Sequence, residues 1–171
     1  MKRILKYFMI FFMCFLLSNT IQAQTAKELI QSGLDKEKSN DLSGAISDYT
    51  KAITLEPNNF HAYLNRGNAF FKSKALKSAI ADYDKAISLS PKNVNAYLNR
   101  ALAKYQLNDF NGAIIDYNNI IAINPKLGVA YLGRGNAKDE LKDRTDACTD
   151  WHKAAELGEN KANETIEHLC K

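Results

Sequence analysis

Cysteine and histidine residues near the C-terminal end of the sequence are of the types that could bind a metal ion. Cys148 and His152 are four residues apart, so a helix would place both on one face. His168 and Cys170 follow, and four such ligands could hold zinc. Residues two apart point to different sides of a helix, however, so His168 and Cys170 would not converge easily. The spacing disfavours zinc and leaves a Cys148–Cys170 disulfide or two free thiols as the other hypotheses.

The sequence contains none of the short motifs that carry common catalytic chemistry. It has no HExxH motif, no GxSxG motif and no P-loop run of glycines. Its carboxylates are scattered along predicted solvated faces without a preferred pair. The sequence therefore gives little support to an enzyme, and we assign no catalytic residue, no metal-binding residue and no cofactor.

The net charge of +4 would suit a nucleic-acid partner, but its distribution does not. Of the 23 basic residues, Lys2, Arg3 and Lys6 lie in the first 23 positions, which contain no Asp or Glu. The other 20 nearly balance the 19 acidic residues. No surface of one sign remains to attract phosphate, so we predict no nucleic-acid partner.

The first 23 residues have the order of regions typical of a secretory signal peptide. The basic start precedes an apolar run at 7–17, and small and polar residues lead to Ala23. The alternative is a retained membrane anchor, but this run of 11 residues is well short of the ~20 that span a bilayer. We therefore predict a signal peptide at 1–23, cleavage after Ala23, and a mature chain in the periplasm or outside the cell. We expect no membrane insertion after cleavage, and such compartments permit disulfides.

One short string of residues occurs three times at a constant spacing. "HAYLNRGNAF" at 61–70 returns as "NAYLNRALAK" at 95–104 and as "VAYLGRGNAK" at 129–138, each 34 residues after the last. Within each copy, apolar residues follow the period of two helices separated by a polar break. Pro57, Pro91 and Pro125 each mark the end of a second helix. The sequence therefore predicts a series of helical hairpins.

Four sets of residues recur with this period. They are the large apolar residues Leu29, Tyr63, Tyr97 and Tyr131; the small residues Gly33, Gly67, Ala101 and Gly135; the alanines Ala45, Ala79, Ala113 and Ala147; and the aromatics Tyr49, Tyr83, Tyr117 and Trp151. The pattern resembles the tetratricopeptide repeat, whose period is 34. The resemblance implies an all-α, right-handed superhelical solenoid of four hairpins plus a C-terminal capping helix. The units would span 26–59, 60–93, 94–127 and 128–159, and the capping helix 160–171.

Two sets of charged residues depart from the family pattern or recur beside it. Arg66, Arg100 and Arg134 stand where the family favours an apolar residue, and Lys36, Lys104 and Lys138 stand where it prefers an aromatic one. An aspartate precedes each aromatic of the second helices, at Asp48, Asp82, Asp116 and Asp150. The arginines and aspartates suggest a ladder of ion pairs between helices, because partly buried arginine usually finds a carboxylate. The alternative is that the arginines bind an acidic ligand.

By resemblance, the remaining stripe of each first helix lines a concave groove that holds a segment of a partner. The candidate residues are His61, Leu64, Asn65, Asn68, Asn95, Leu98, Asn99, Leu102, Tyr105, Leu132 and Asn136. Asparagine suits this work because its amide both donates and accepts hydrogen bonds, although these residues could instead only solvate the surface or cap backbone groups. Family members that clamp a terminal carboxylate present basic residues in the groove. Here Ile30, Val129 and Gly133 occupy those positions, which argues against this mode.

The C-terminal segment places Ala162, Ile166, Leu169 and Cys170 on one face of a helix. The preceding helix should end near Leu157 and Gly158, with the turn centred near Glu159. Cys148 and Cys170 each lie 11 residues from that centre, and an antiparallel hairpin would bring them side by side. This geometry favours the disulfide.

Together these features predict an exported, non-catalytic scaffold or adaptor that binds a protein or peptide, and the resemblance to signal-bearing repeat proteins implies a bacterial cell envelope. The partner is not identified by the sequence. The alternative is a structural array that associates with its own copies, and an enzyme or a zinc-binding protein has less support.

Overall fold

The computed structural model describes residues 25–170, and the predicted signal peptide at 1–23 lies outside them. The described residues form nine α-helices joined by short turns, with no strand among them. The helices are α1 (25–38), α2 (Leu42–Leu55), α3 (Phe60–Lys72), α4 (Leu76–Leu89), α5 (Val94–Gln106), α6 (Phe110–Ile123), α7 (Gly128–Glu140), α8 (Arg144–Glu156) and α9 (Asn160–Leu169). The predicted all-α class is confirmed.

The helices pair into four hairpins, α1–α2, α3–α4, α5–α6 and α7–α8, and α9 packs on α8 at the end. Each helix packs mainly against its neighbours in the chain, and α3 also contacts α5. Stacking of this kind builds a solenoid whose core runs along the array, because one hairpin cannot bury its apolar face alone. None of the described helices is long and apolar enough to cross a bilayer.

The turn inside each hairpin uses one residue in the left-handed conformation. Asn40 and Asn108 have φ values of 63° and 60°, which asparagine tolerates well. The equivalent turns of the second and fourth hairpins place Lys74 and Lys142 there, with φ values of 65° and 68°. An aspartate follows the turn in three hairpins, and its side chain accepts a hydrogen bond from the first turn of the next helix. The second hairpin has Ala75 at this place and no such cap.

The aromatic residue of each second helix fills the space beside a small residue. A Cβ atom added to Gly67 would lie 2.7 Å from Cε1 of Tyr83, so the buried ring requires glycine there. Gly33 and Tyr49 make the same close approach in the first hairpin, as do Gly135 and Trp151 in the fourth. The third hairpin differs because Ala101, which is fully buried, occupies the equivalent position. A glycine of the next hairpin takes over this role for Tyr117, as described below.

The last helix is attached as the sequence predicted, except at Leu169. Gly158 has a φ of 94° and ends α8, and α9 then packs Ala162 and Ile166 against the cluster around Trp151. Leu169 was expected on the same apolar face but is 38% exposed. The stripe that meets α8 runs through positions 162, 166 and 170, and successive residues of a helix differ by about 100°. Leu169 lies about 60° from the middle of this stripe, so it stands at the edge of the apolar face and stays partly exposed.

Candidate partner-binding groove

Two adjacent depressions lie along the first helices of the second, third and fourth hairpins, and we call this surface the groove. The polar depression has a volume of about 210 Å³ and lies between α3 and α5. The apolar pocket has a volume of about 260 Å³ and lies between α5 and α7. Leu102 lines both of them. The lining residues are Asn68, Phe71, Lys72, Tyr83, Asn99 and Leu102 in the polar depression, and Leu98, Leu102, Tyr105, Tyr117, Val129, Leu132, Gly133 and Asn136 in the apolar pocket.

The structure brings seven of the eleven sequence-predicted groove residues to these depressions. They are Asn68, Leu98, Asn99, Leu102, Tyr105, Leu132 and Asn136. The other four lie elsewhere on the first helices. His61 lines a separate depression at the turn between α2 and α3, and Leu64 packs on the core around Tyr83. Asn65 is half-buried and Asn95 is exposed.

A triad of hydrogen-bonded side chains fills the base of the polar depression. The Oδ1 atom of Asn68 accepts from the hydroxyl of Tyr83 at 3.0 Å and from Nδ2 of Asn99 at 2.8 Å. These two asparagines therefore hold the groove together as well as facing it. The side-chain Nδ2 of Asn68 and the side-chain Oδ1 of Asn99 make no hydrogen bond to another described residue. Both atoms are therefore available to a partner.

Asn136 plays the same part in the fourth hairpin, where its Oδ1 atom accepts from Nε1 of Trp151 at 2.8 Å. The sequence predicted partner contact for Asn68 and Asn136, with solvation or backbone capping as the alternative, and this bond to the aromatic residue was missed. The signal was present, because an asparagine in the first helix stands at a fixed spacing from a polar aromatic residue in the second.

The apolar pocket occupies the equivalent place one hairpin further along. Leu102 and Gly133 stand 34 residues after Asn68 and Asn99, so hydrocarbon and empty space replace the two amides. The ring of Tyr117 lies against Gly133, where an added Cβ would be 2.3 Å from Cζ. Gly133 thus gives Tyr117 the room that Gly67 gives Tyr83 in the second hairpin. Burial raises the pKa of the Tyr117 hydroxyl to about 12, so this group stays protonated at neutral pH.

The predicted ladder of arginine–aspartate pairs is present. Each pair joins the two helices of the second, third or fourth hairpin. Nε and Nη2 of each arginine bind both oxygens of an aspartate, at 2.5–3.0 Å, in the pairs Arg66–Asp82, Arg100–Asp116 and Arg134–Asp150. The remaining Nη1 reaches back to the preceding hairpin, where it donates to Thr50, Asp84 and Asn118 respectively. Hydrogen bonding to Asp82 raises the pKa of Arg66. All three guanidinium groups are therefore already bound by the chain itself.

The lysines that depart from the family pattern join the same ladder. Lys104 Nζ lies 2.9 Å from Asp116, and Lys138 Nζ lies 2.9 Å from Asp150. In the first hairpin, which has Ser32 in place of the arginine, Lys36 and Ser32 both donate to Asp48 at 2.6 Å. The second hairpin has Phe70 instead, under the guanidinium of Arg66. The sequence contained a signal for these ion pairs, because each lysine stands at the same spacing before its aspartate.

Cys148 and Cys170 form a disulfide that joins α8 to the end of α9, with the two Cα atoms 5.7 Å apart. His152 and His168 are exposed. Between residues 25 and 170 no group of three or more histidine, cysteine, aspartate or glutamate side chains is arranged to hold a metal ion.

Family models and solved structures give one consistent identification. A model described as TPR repeat matches residues 38–74 and 67–108, and one described as tetratricopeptide repeat matches 94–127. A crystal structure of MamA is 27% identical, with a TM-score of 0.76 over 81% of each chain. A tetratricopeptide repeat protein from Parabacteroides merdae is 28% identical, with a TM-score of 0.75 over 80% of this chain but only 55% of its own.

A third solved structure contains a bound peptide. The first TPR domain of Spaghetti (RPAP3), bound to the HSP90 peptide SRMEEVD, is 27% identical with a TM-score of 0.67. The match covers 70% of this chain and 95% of that domain. No curated protein sequence is significantly similar to the chain. The two repeat models together cover more than half of the sequence, and the four stacked hairpins have the architecture that they describe. The chain therefore belongs to the tetratricopeptide repeat family.

Proposed function

We propose that this protein is a non-catalytic scaffold or adaptor that holds an extended segment of a partner protein in the groove. The observation that carries the proposal is the continuity of the two depressions through Leu102. An extended segment lying across them would meet amide groups first and an apolar pocket next. Such a surface can bind both the backbone and a side chain of its partner.

The charges of the groove indicate which kind of segment it suits. Lys72 is the one charged residue among those lining the two depressions, and its Nζ is already paired with Glu37 at 2.6 Å. The related TPR domain of RPAP3 holds the acidic peptide SRMEEVD. Recognition of a terminal carboxylate requires basic side chains, and Val129 and Gly133 stand in the apolar pocket instead. We therefore propose an uncharged, internal segment as the ligand.

We place this protein in the bacterial cell envelope, after export. The basic and apolar regions of residues 1–23 support a cleaved signal peptide. The Cys148–Cys170 disulfide supports an oxidising compartment such as the periplasm.

The proposal is tested with a displayed library of random uncharged octapeptides, selected on the mature chain from Gln24. Replacing Asn99 with alanine should weaken the selected peptides roughly threefold to tenfold, about the worth of one hydrogen bond. The melting temperature should change little, because only the Asn99–Asn68 bond is lost within the chain. Binding is measured by fluorescence anisotropy and stability by circular dichroism.

Asn111→Ala is the matched control, because Asn111 is an exposed asparagine on α6 outside the groove. It should change neither the affinity nor the melting temperature. Unchanged affinity in the Asn99→Ala variant would overturn the assignment of the groove.

A second candidate function is a structural array that binds its own copies, and the surface of α6 favours it. Ile115 is 59% exposed and Ile123 is 37% exposed on this helix. Asn119 stands where the other second helices carry Lys51, Lys85 and Lys153. This exposed face of α6, formed by Asn111, Ile115, Ala122 and Ile123, therefore has no charge to oppose a second copy.

A further inference from the structure

We propose that the apolar pocket receives one large apolar side chain of the partner segment, while the Tyr117 hydroxyl donates a hydrogen bond to a backbone carbonyl beside it. The inference rests on the proposed function and names the residue class that selects the partner. It makes the junction of the third and fourth hairpins the specificity-determining part of the groove.

The repeats themselves supply the comparison on which this inference depends. At the junction of the second and third hairpins, Asn68, Tyr83 and Asn99 are hydrogen-bonded to one another and line the base of the polar depression with polar atoms. The three equivalent residues at the next junction are Leu102, Tyr117 and Gly133. This change removes both amides and one whole side chain, and a space of about 260 Å³ results. The same fold thus gives one junction a polar depression of about 210 Å³ and the next an apolar pocket of similar size.

Each second helix has one aromatic residue with a polar atom. Tyr117 is the one whose polar atom has no hydrogen-bond partner within residues 25–170. Tyr49 donates to Glu37 at 2.7 Å, Tyr83 to Asn68, and Trp151 to Asn136. Tyr117 is only 2% exposed and lines the pocket. A hydroxyl that the chain leaves unpaired at the wall of a pocket can donate to the carbonyl of a ligand there. The raised pKa keeps this hydroxyl a donor at neutral pH.

The walls of the pocket determine the chemistry of the side chain that enters. Leu98, Leu102, Val129 and Leu132 supply aliphatic surface, and no charged residue lines the pocket. An ionised side chain would lose its hydration there without gaining a counter-charge. The volume exceeds the roughly 150 Å³ of a cavity that admits benzene, so a leucine, isoleucine, methionine or phenylalanine side chain fits.

The first test uses a minimal probe, N-acetyl-leucine N-methylamide, which combines one apolar side chain with two amide groups. In NMR titrations of the mature chain, it should cause saturable shifts at Leu102, Tyr117 and Gly133. N-acetyl-alanine N-methylamide should bind about tenfold or more weakly, because it buries much less apolar surface. Equal shifts from both probes, or no shifts at these residues, would overturn the proposal.

Two matched tyrosine variants test the role of the hydroxyl. Tyr117→Phe removes an unpaired group, so the melting temperature should hold while the leucine probe binds about fivefold more weakly. Tyr83→Phe removes the bond to Asn68 and should lower the melting temperature without affecting the probe. Unchanged probe affinity in Tyr117→Phe would contradict the proposed hydrogen bond.

The third variant copies the polar junction onto the apolar one through Leu102→Asn and Gly133→Asn together. It should abolish binding of the leucine probe, whereas the exposed control Ile115→Asn should bind it normally. Because the new side chain at Gly133 must displace Tyr117, Leu102→Asn alone is measured as well. That single variant offers Tyr117 an internal acceptor and should weaken the probe about fivefold or more. Normal binding by both variants would overturn the proposal.

The library peptides separate this inference from the proposed function. Peptides that require Asn99 but bind the Leu102 and Tyr117 variants normally would overturn the pocket and leave the groove standing. Peptides that are insensitive to every groove variant would overturn both.

Discussion

Arg100 connects three helices through a single side chain. Its guanidinium binds both oxygens of Asp116, reaches Asp84 of the preceding hairpin at 2.5 Å, and lies 5.5 Å from the ring centre of Tyr97. Asp116 is fully buried, so its charge depends on these partners. An ionised carboxylate in such a place is costly once a cation is removed.

Arg100→Ala should therefore lower the free energy of unfolding by about 2–4 kcal/mol, somewhat less than full loss of a buried pair because Lys104 remains on Asp116. Urea denaturation followed by circular dichroism measures it. Lys51→Ala is the control, because Lys51 is exposed and contacts Asp48 only at 3.6 Å, and its effect should stay within about 0.5 kcal/mol. Full stability combined with lost peptide binding would instead support arginines that bind an acidic ligand.

The sequence predicted the Arg100–Asp116 pair because both residue types recur with the period of the repeat. It did not predict how Asn68 would be used. An asparagine on a first helix can face a partner, the solvent or the neighbouring aromatic, and its type is compatible with all three. The three-dimensional packing of Tyr83 decides between them. The pocket was equally hidden, because it follows from the packing of the Tyr117 ring against Gly133 of the next hairpin.

At the scale of elements, α9 is the helix whose attachment the disulfide secures. It packs mainly on α8, through Ala162 and Ile166, and it has no further described helix beyond it. Helices of 10 residues are marginal in isolation, so its helical state depends on this docking.

Thiol titration of the unfolded mature chain without reductant should find no reactive thiol, because Cys148 and Cys170 are paired. Reduction should lower the free energy of unfolding by about 3 kcal/mol, the loop-closure entropy of a ring of this size. Circular dichroism melts with and without dithiothreitol measure this effect. The Cys148→Ser, Cys170→Ser variant should not respond to reductant. Two titratable thiols in the wild-type chain would contradict the pairing.

The element boundaries show where sequence patterns lose information. Proline and the Asn-Asp pairs predicted the ends of most helices because they act locally. Lys74 and Lys142 adopt the left-handed conformation although lysine has no preference for it. The packing of the two helices sets the angle between them, and the residue in the turn must adopt the backbone conformation that this angle requires. No local signal at a lysine reveals that requirement.

At the scale of the whole molecule, the two candidate functions predict different masses in solution. If the groove holds a partner segment, the mature chain should be monomeric at all concentrations in multi-angle light scattering. A stable dimer would instead favour the self-associating array. The Ile115→Ser variant then decides whether the exposed face of α6 forms the contact, because serine stands at the equivalent position Ser47. A dimer that Ile115→Ser leaves intact would rule out this face.

The hydrogen bonds from the arginines to the preceding hairpin affect how an array of this kind can gain a hairpin. Each Nη1 meets an acceptor supplied by the preceding hairpin, whether Thr50, Asp84 or Asn118. A tandem duplication of residues 60–93 would therefore give the new arginine an Asp84 to bind, and the inserted hairpin would be joined as firmly as the original. The polar depression would be copied, but the apolar pocket would remain single. Gene duplication could thus lengthen the recognised segment while leaving its anchor residue unchanged.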